Sequence, residues 1–188
     1  MVLLTLVFVS CDDRLEDLNT DKRNPASVAP ESLFARATRE AVDNVYTTNV
    51  NENPFRLYSQ MWAQTTYPDE SQYNIIGREI SLGIWTNQYR DVLIDLKDAR
   101  NIIATQLAEG TSSDSDETLE NKMAIIDILS SYTFLTMVDI FGDIPYSEAL
   151  DPANLSPRYD DAETIYTNIE SVLSTAATTL TTGANASA

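Results

Sequence analysis

Histidine is missing altogether from these 188 residues, and cysteine occurs once. Without imidazole there is no Ser-His or Cys-His catalytic pair, no imidazole metal ligand and no side chain whose ordinary pKa lies near neutrality. The single thiol, Cys11, forbids an internal disulfide and any multi-thiolate zinc site. Basic residues are also few. The 12 Lys and Arg against 29 Asp and Glu leave a formal charge of −17, which repels phosphate backbones and excludes nucleic acid as the default partner. Glycine (5) and proline (7) are sparse, and no proline falls between 69 and 144, so that stretch is open to long helices. What is plentiful is apolar side chain, at 43%, enough for the core of one domain or of part of a larger one.

The N-terminus carries the longest apolar run. Residues 2–9, VLLTLVFV, are too short to cross a bilayer, which needs about 20 residues, and suit the apolar core of a signal peptide. Ser10 precedes Cys11 and Asp12 and Asp13 follow it, the arrangement of a lipobox, with Phe8 where such boxes usually carry Leu. This predicts a signal peptide over 1–10, lipidation of Cys11, a linker over 11–28 and a helical region over 29–182. The plainer alternative is a buried apolar strand with an inert Cys.

Periodicity points to helices throughout. Leu82, Trp85, Tyr89, Val92, Leu96, Ala99, Ile103 and Leu107 recur every three or four residues, one face of a helix that Gly110 ends. The polar turn TSSDSDE over 111–117 supplies an N-cap for a second helix over 119–138, which is apolar on more than one face and must be covered on several sides. Shorter helices are expected over 30–46 and 55–66. A last one runs over 161–180, opened by Asp160 and Glu163 as a capping box. Strand signals are absent, so the class is all-α, with the two long helices paired as an antiparallel hairpin. The small polar tail TTGANASA over 181–188 reads as a link onward, and the chain as the N-terminal part of something longer.

Between the central and last helices lies DIFGDIPYSEAL, residues 139–150. It resembles the D-x-F-G-D-x-P-Y signature of the SusD and RagB family of surface nutrient-binding lipoproteins. The C-D-D start at Cys11, the segment DLNTDKRNP over 17–25 and Trp85-x-x-x-Tyr89 leading to Asn101, Ile102 and Ile103 are similar to other family features. The resemblance implies tetratricopeptide-like helix pairs and a role as lid on a SusC-like TonB-dependent transporter of the outer membrane. It implies glycan capture at the cell surface, no catalysis and no cofactor, with contact to the membrane through the lipid alone.

The signature residues Asp139, Phe141, Gly142, Asp143, Pro145 and Tyr146 are the composition of a turn leaving a buried helix, which favours a structural role for them over ligand contact. Trp85 and Tyr89 share the apolar stripe, which favours packing; Trp85, near the helix start, stays a ligand candidate. The stretch YPDESQYNIIGR over 67–78 is too polar for core. There Tyr67 and Tyr73 offer flat rings to a sugar, and Asp69, Gln72, Asn74 and Arg78 offer hydrogen bonds to its hydroxyls, although the same residues are common in loops. The acidic run 114–117 lacks the spacing of a calcium loop and reads as helix capping, with no metal expected. Other classes of function stay open: a peptide-binding or assembly lipoprotein that grips a protein through helix pairs, and a glycoside hydrolase using two of the many carboxylates.

Overall fold

The computed structural model describes residues 28–182. The expected signal peptide, Cys11 and the segment 17–25 lie outside the described residues, as does the tail from 183. Within the described residues the protein is all-α. Its only pairing of extended backbone there is an isolated antiparallel bridge between Ile144 and Asp160.

Helix α1, Pro30–Tyr46, starts on a proline whose missing N–H is unneeded in the first turn. It turns Ala37 and Ala41 inward, small side chains that let the next long helix approach closely. The helix expected over 55–66 shrinks to α2, Phe55–Tyr58. Only Leu57 of that segment is buried, while Met61 and Trp62 are exposed, and Gln60 takes a left-handed φ of 58°. One buried side chain does not offset the cost of nucleating a longer helix.

The long amphipathic helix forms, but not as one face. Helix α3 (Ile80–Asn87), a six-residue π-helical stretch (Gln88–Leu93) and α4 (Ile94–Glu109) follow one another without a break. The π turn holds an extra residue and shifts the register. Val92, Leu96, Ala99 and Ile103 therefore join a first core with Ala37, Ala41, Leu119 and Ile126, while Trp85, Tyr89 and Leu93 face a second one. Leu82, the expected first member of the stripe, is 53% exposed.

Gly110 ends α4, and Ser115 caps α5, Asp116–Phe141, by accepting the Thr118 N–H at 3.2 Å. Helix α5 serves both cores: Leu119 and Ile126 in the first, Phe134, Met137 and Val138 in the second. It packs against α4 on one side and α6, Ala162–Thr182, on the other. The cap of α6 is displaced by one residue from expectation. Asp161, not Asp160, accepts the Thr164 N–H at 2.9 Å, because Asp160 is engaged in the bridge to Ile144 and turned toward the preceding turn.

Candidate functional site

The signature segment folds into a closed structural knot. Asp139 accepts a hydrogen bond from the Tyr166 hydroxyl at 2.6 Å, and Asp143 accepts the Ala162 N–H at 3.1 Å, tying both ends of the turn to α6. Gly142 has φ 75° and ψ −121°, a backbone region essentially reserved for glycine. Phe141 meets Trp85 edge to face at 5.1 Å, and Tyr146 meets Phe134 in the same way at 4.7 Å. The Pro145 carbonyl accepts from the Tyr89 hydroxyl at 2.6 Å. Burial pushes the Tyr89 phenol well above its ordinary value, with the nearby Tyr159 and Asp160 adding to the effect. Asp160 closes the knot by accepting the N–H groups of Ser147 (2.7 Å) and Tyr146 (3.2 Å), and those bonds, Ser147's foremost, hold its carboxyl below the usual range. Asp139 and Asp143 thus each commit one carboxylate oxygen to the fold while remaining exposed.

Trp85 belongs to this region and not to the 67–78 loop. It packs against Phe141 and Tyr89, and its remaining face lies against Tyr159, stacked at 6.1 Å.

The segment 47–79 is built differently. Asn53, buried, anchors it by donating to the Val45 carbonyl at 2.5 Å, and Arg56 donates to the Thr47 carbonyl at 2.8 Å. Its pivot is Glu70, 1% exposed, which accepts from Gln64 Nε2 at 2.9 Å and pairs with Arg78 Nη1 at 3.0 Å. A buried carboxylate survives in such a place only when so compensated. Gln64 in turn accepts from and donates to Ser71, so that residues 64, 70, 71 and 78 form one polar hub. Around this hub Tyr67 and Tyr73 adopt left-handed φ values of 55° and 58°, which turn the chain sharply at each end of the short 3-10 turn Glu70–Gln72.

Beside the hub opens a cavity of about 580 Å³ whose lining includes Asn51, Gln64, Thr66, Tyr67, Asp69 and Arg78. Of the residues expected to bind a ligand, Tyr67, Asp69 and Arg78 meet there. Tyr67 is 76% exposed, with no ring packed on it among the described residues, so a flat apolar face is free beside amide, hydroxyl and carboxylate groups. Asn74 and Tyr73 stand behind the wall: Asn74 donates to Asp69 Oδ1 at 2.8 Å and fixes that carboxylate, and Tyr73 stacks on Tyr58 and donates to its carbonyl. Gln72 is exposed and lines no cavity described here. Gln64, Asn51 and Glu70 are participants that the sequence did not single out. Glu70 carries no signature beyond being an acid in a polar loop, because its burial depends on Arg78 folding back over it.

The acidic run before α5 is used as expected for capping: Asp114 pairs with Lys122 at 2.7 Å and Ser115 caps the helix. No group of three or more Asp, Glu or Cys side chains converges into a metal-binding set among the described residues.

A family model described as SusD-like, starch-binding associating with outer membrane, matches residues 22–188. No curated protein matches the chain.

Proposed function

The chain belongs to this SusD-like family, and from that premise we propose that it is a non-catalytic lipoprotein that captures glycan oligomers at the cell surface and passes them to a SusC-like TonB-dependent transporter. In this reading residues 1–10 are a cleaved signal peptide, Cys11 carries the lipid and residues 11–28 tether the helical body to the outer membrane. The observation that supports it most is the loop cavity. An unstacked tyrosine ring beside Gln64, Asp69 and Arg78 suits the two faces of a sugar, apolar C–H on one side and hydroxyls around the rim. The hub of Glu70 holds those groups in place before any ligand arrives, which lowers the ordering cost of binding.

Titration of malto-oligosaccharides into the wild-type protein and a Tyr67→Ala variant tests this. Loss of one stacking face should weaken binding by about tenfold, since aromatic contacts contribute roughly 0.5–1.5 kcal/mol beyond area. Unchanged affinity would remove the loop cavity from the function. A second reading draws on Met61, Ile75 and Ile76, which are 79%, 60% and 93% exposed in the same loops and would suit contact with a protein. If the protein holds its transporter but binds no sugar, that assembly role is the better account. Turnover of an oligosaccharide that disappears on replacing one carboxylate would instead make it a hydrolase.

A further inference from the structure

Gly83 lies inside α3, where the fold does not ask for a glycine. Its φ is not positive, and a Cβ built on it meets no atom within 4 Å. Glycine in a helix interior is destabilising relative to alanine, and here neither a close approach nor a special backbone conformation offsets that cost. What the missing side chain leaves open is a second cavity, of about 250 Å³, lined by Gly83 with Asn44, Asn51, Arg78, Glu79 and Asn87 among others. Asn51 and Arg78 line the loop cavity too, so the two compartments share a wall.

This compartment is lined by three amides, Asn44, Asn51 and Asn87, beside the apolar side chains of Ile80 and Ile84, and holds no free positive charge. Asn87 donates to Asn44 at 3.1 Å, which fixes the orientation of both amides. The Arg78 guanidinium is opposed by buried Glu70 at 3.0 Å and also donates to Asn51. Glu52 and Glu79 are the other charged groups of the lining. Amides give and accept hydrogen bonds with hydroxyls, whereas a uronate or sulfate would meet uncompensated carboxylates on a chain of charge −17.

We propose that this compartment is a second subsite, taking an uncharged, hydroxyl-rich sugar unit next to the one held against Tyr67, and that glycine at position 83 keeps it open. The proposal rests on the glycan-binding reading above. It is tested by calorimetric titration of maltose, maltoheptaose and an oligogalacturonate into the wild-type protein, Gly83→Met and Gly83→Ala. Wild type should gain about tenfold or more in affinity from maltose to maltoheptaose. Gly83→Met should reduce that gain to about threefold or less, with a melting temperature at or above wild type because methionine is the better helix former. Gly83→Ala, which barely fills the space, should keep most of the gain. An undiminished gain in Gly83→Met overturns the subsite, as does a lowered melting temperature with the lost gain. Oligogalacturonate binding as tight as that of maltoheptaose overturns the ligand class. Failure of wild type to bind either malto-oligosaccharide removes the glycan reading, and the subsite with it.

Discussion

The turn at 139–150, between α5 and α6, and the loops at 47–79, between α1 and α3, are both irregular stretches, yet they use their aromatic and acidic residues in opposite ways. In the turn, Phe141 and Tyr146 are half-buried and each meets another ring edge to face, and Asp139 and Asp143 are tied to α6. In the loops, Tyr67 and Trp62 face solvent, and the acid at the centre, Glu70, serves to hold an arginine at the rim of a cavity. The residues on which the family resemblance rests most are therefore ones whose contacts go mainly to the fold, although Asp139 and Asp143 stay exposed. A sequence signature marks what the fold cannot do without, and the binding surface is assembled from residues with far weaker patterns.

This contrast can be broken by measurement. The largest effect should come from Phe134→Ala, which empties the space between Tyr146 and Tyr89 in the second core; about 3–5 kcal/mol of unfolding free energy should be lost in a denaturant titration. A loss under about 1 kcal/mol would mean that the knot is not packed as a unit. Gly142→Ala should come next, at about 1–3 kcal/mol, and entirely through the backbone, since a Cβ there meets no atom within 4 Å. Acid should act on the same region. The carboxyl of Asp160 has its pKa depressed in the folded state, so its contribution is full above the unfolded value of roughly 4 and is lost as pH falls through the folded one. Asp160→Asn should accordingly show a shallower decline in melting temperature below about pH 4 than wild type does; parallel curves would contradict this. The smallest effect on stability should be that of Tyr67→Ala, within about 0.5 kcal/mol by thermal melting, despite its effect on sugar affinity. If Tyr67→Ala destabilises as much as Gly142→Ala, the two regions are not different in kind.

Much of the fold was legible in the sequence because its signals are local and repeated. Helix α1 spans the expected 30–46, and the polar turn before α5 caps it as its composition suggests. What escaped were features fixed by distant partners. Spacings of three and four residues along 82–107 do not reveal where an extra residue enters a helix, because the π turn is stabilised by having two cores to serve. Choosing Asp161 over Asp160 as the cap requires knowing that Asp160 is held by Tyr146 and Ser147. In the site, Tyr67, Asp69 and Arg78 could be picked out as aromatic and polar residues in a loop too polar for core. Nothing local, however, distinguishes Tyr67, whose ring is free, from Tyr73, whose ring is stacked on Tyr58. Trp85 could be placed on its helix but not against Tyr159, a contact across the turn.

The π-helical stretch Gln88–Leu93 also makes the long helix unequal in its tolerance of changes in chain length. A one-residue deletion inside an ordinary α-helix rotates everything beyond it by about 100°, and between Ala99 and Ile103 this would swing the first core's contacts out to solvent. Inside the π stretch the same deletion removes the surplus residue and lets the helix close into regular α geometry with both flanks still facing their own cores. Deleting Gln88 would in addition discard a buried side-chain carbonyl, Oε1, that has no hydrogen-bond partner among the described residues. A one-residue deletion should therefore be survivable at the exposed Arg90 of the π stretch, and should abolish folding a turn or two further along.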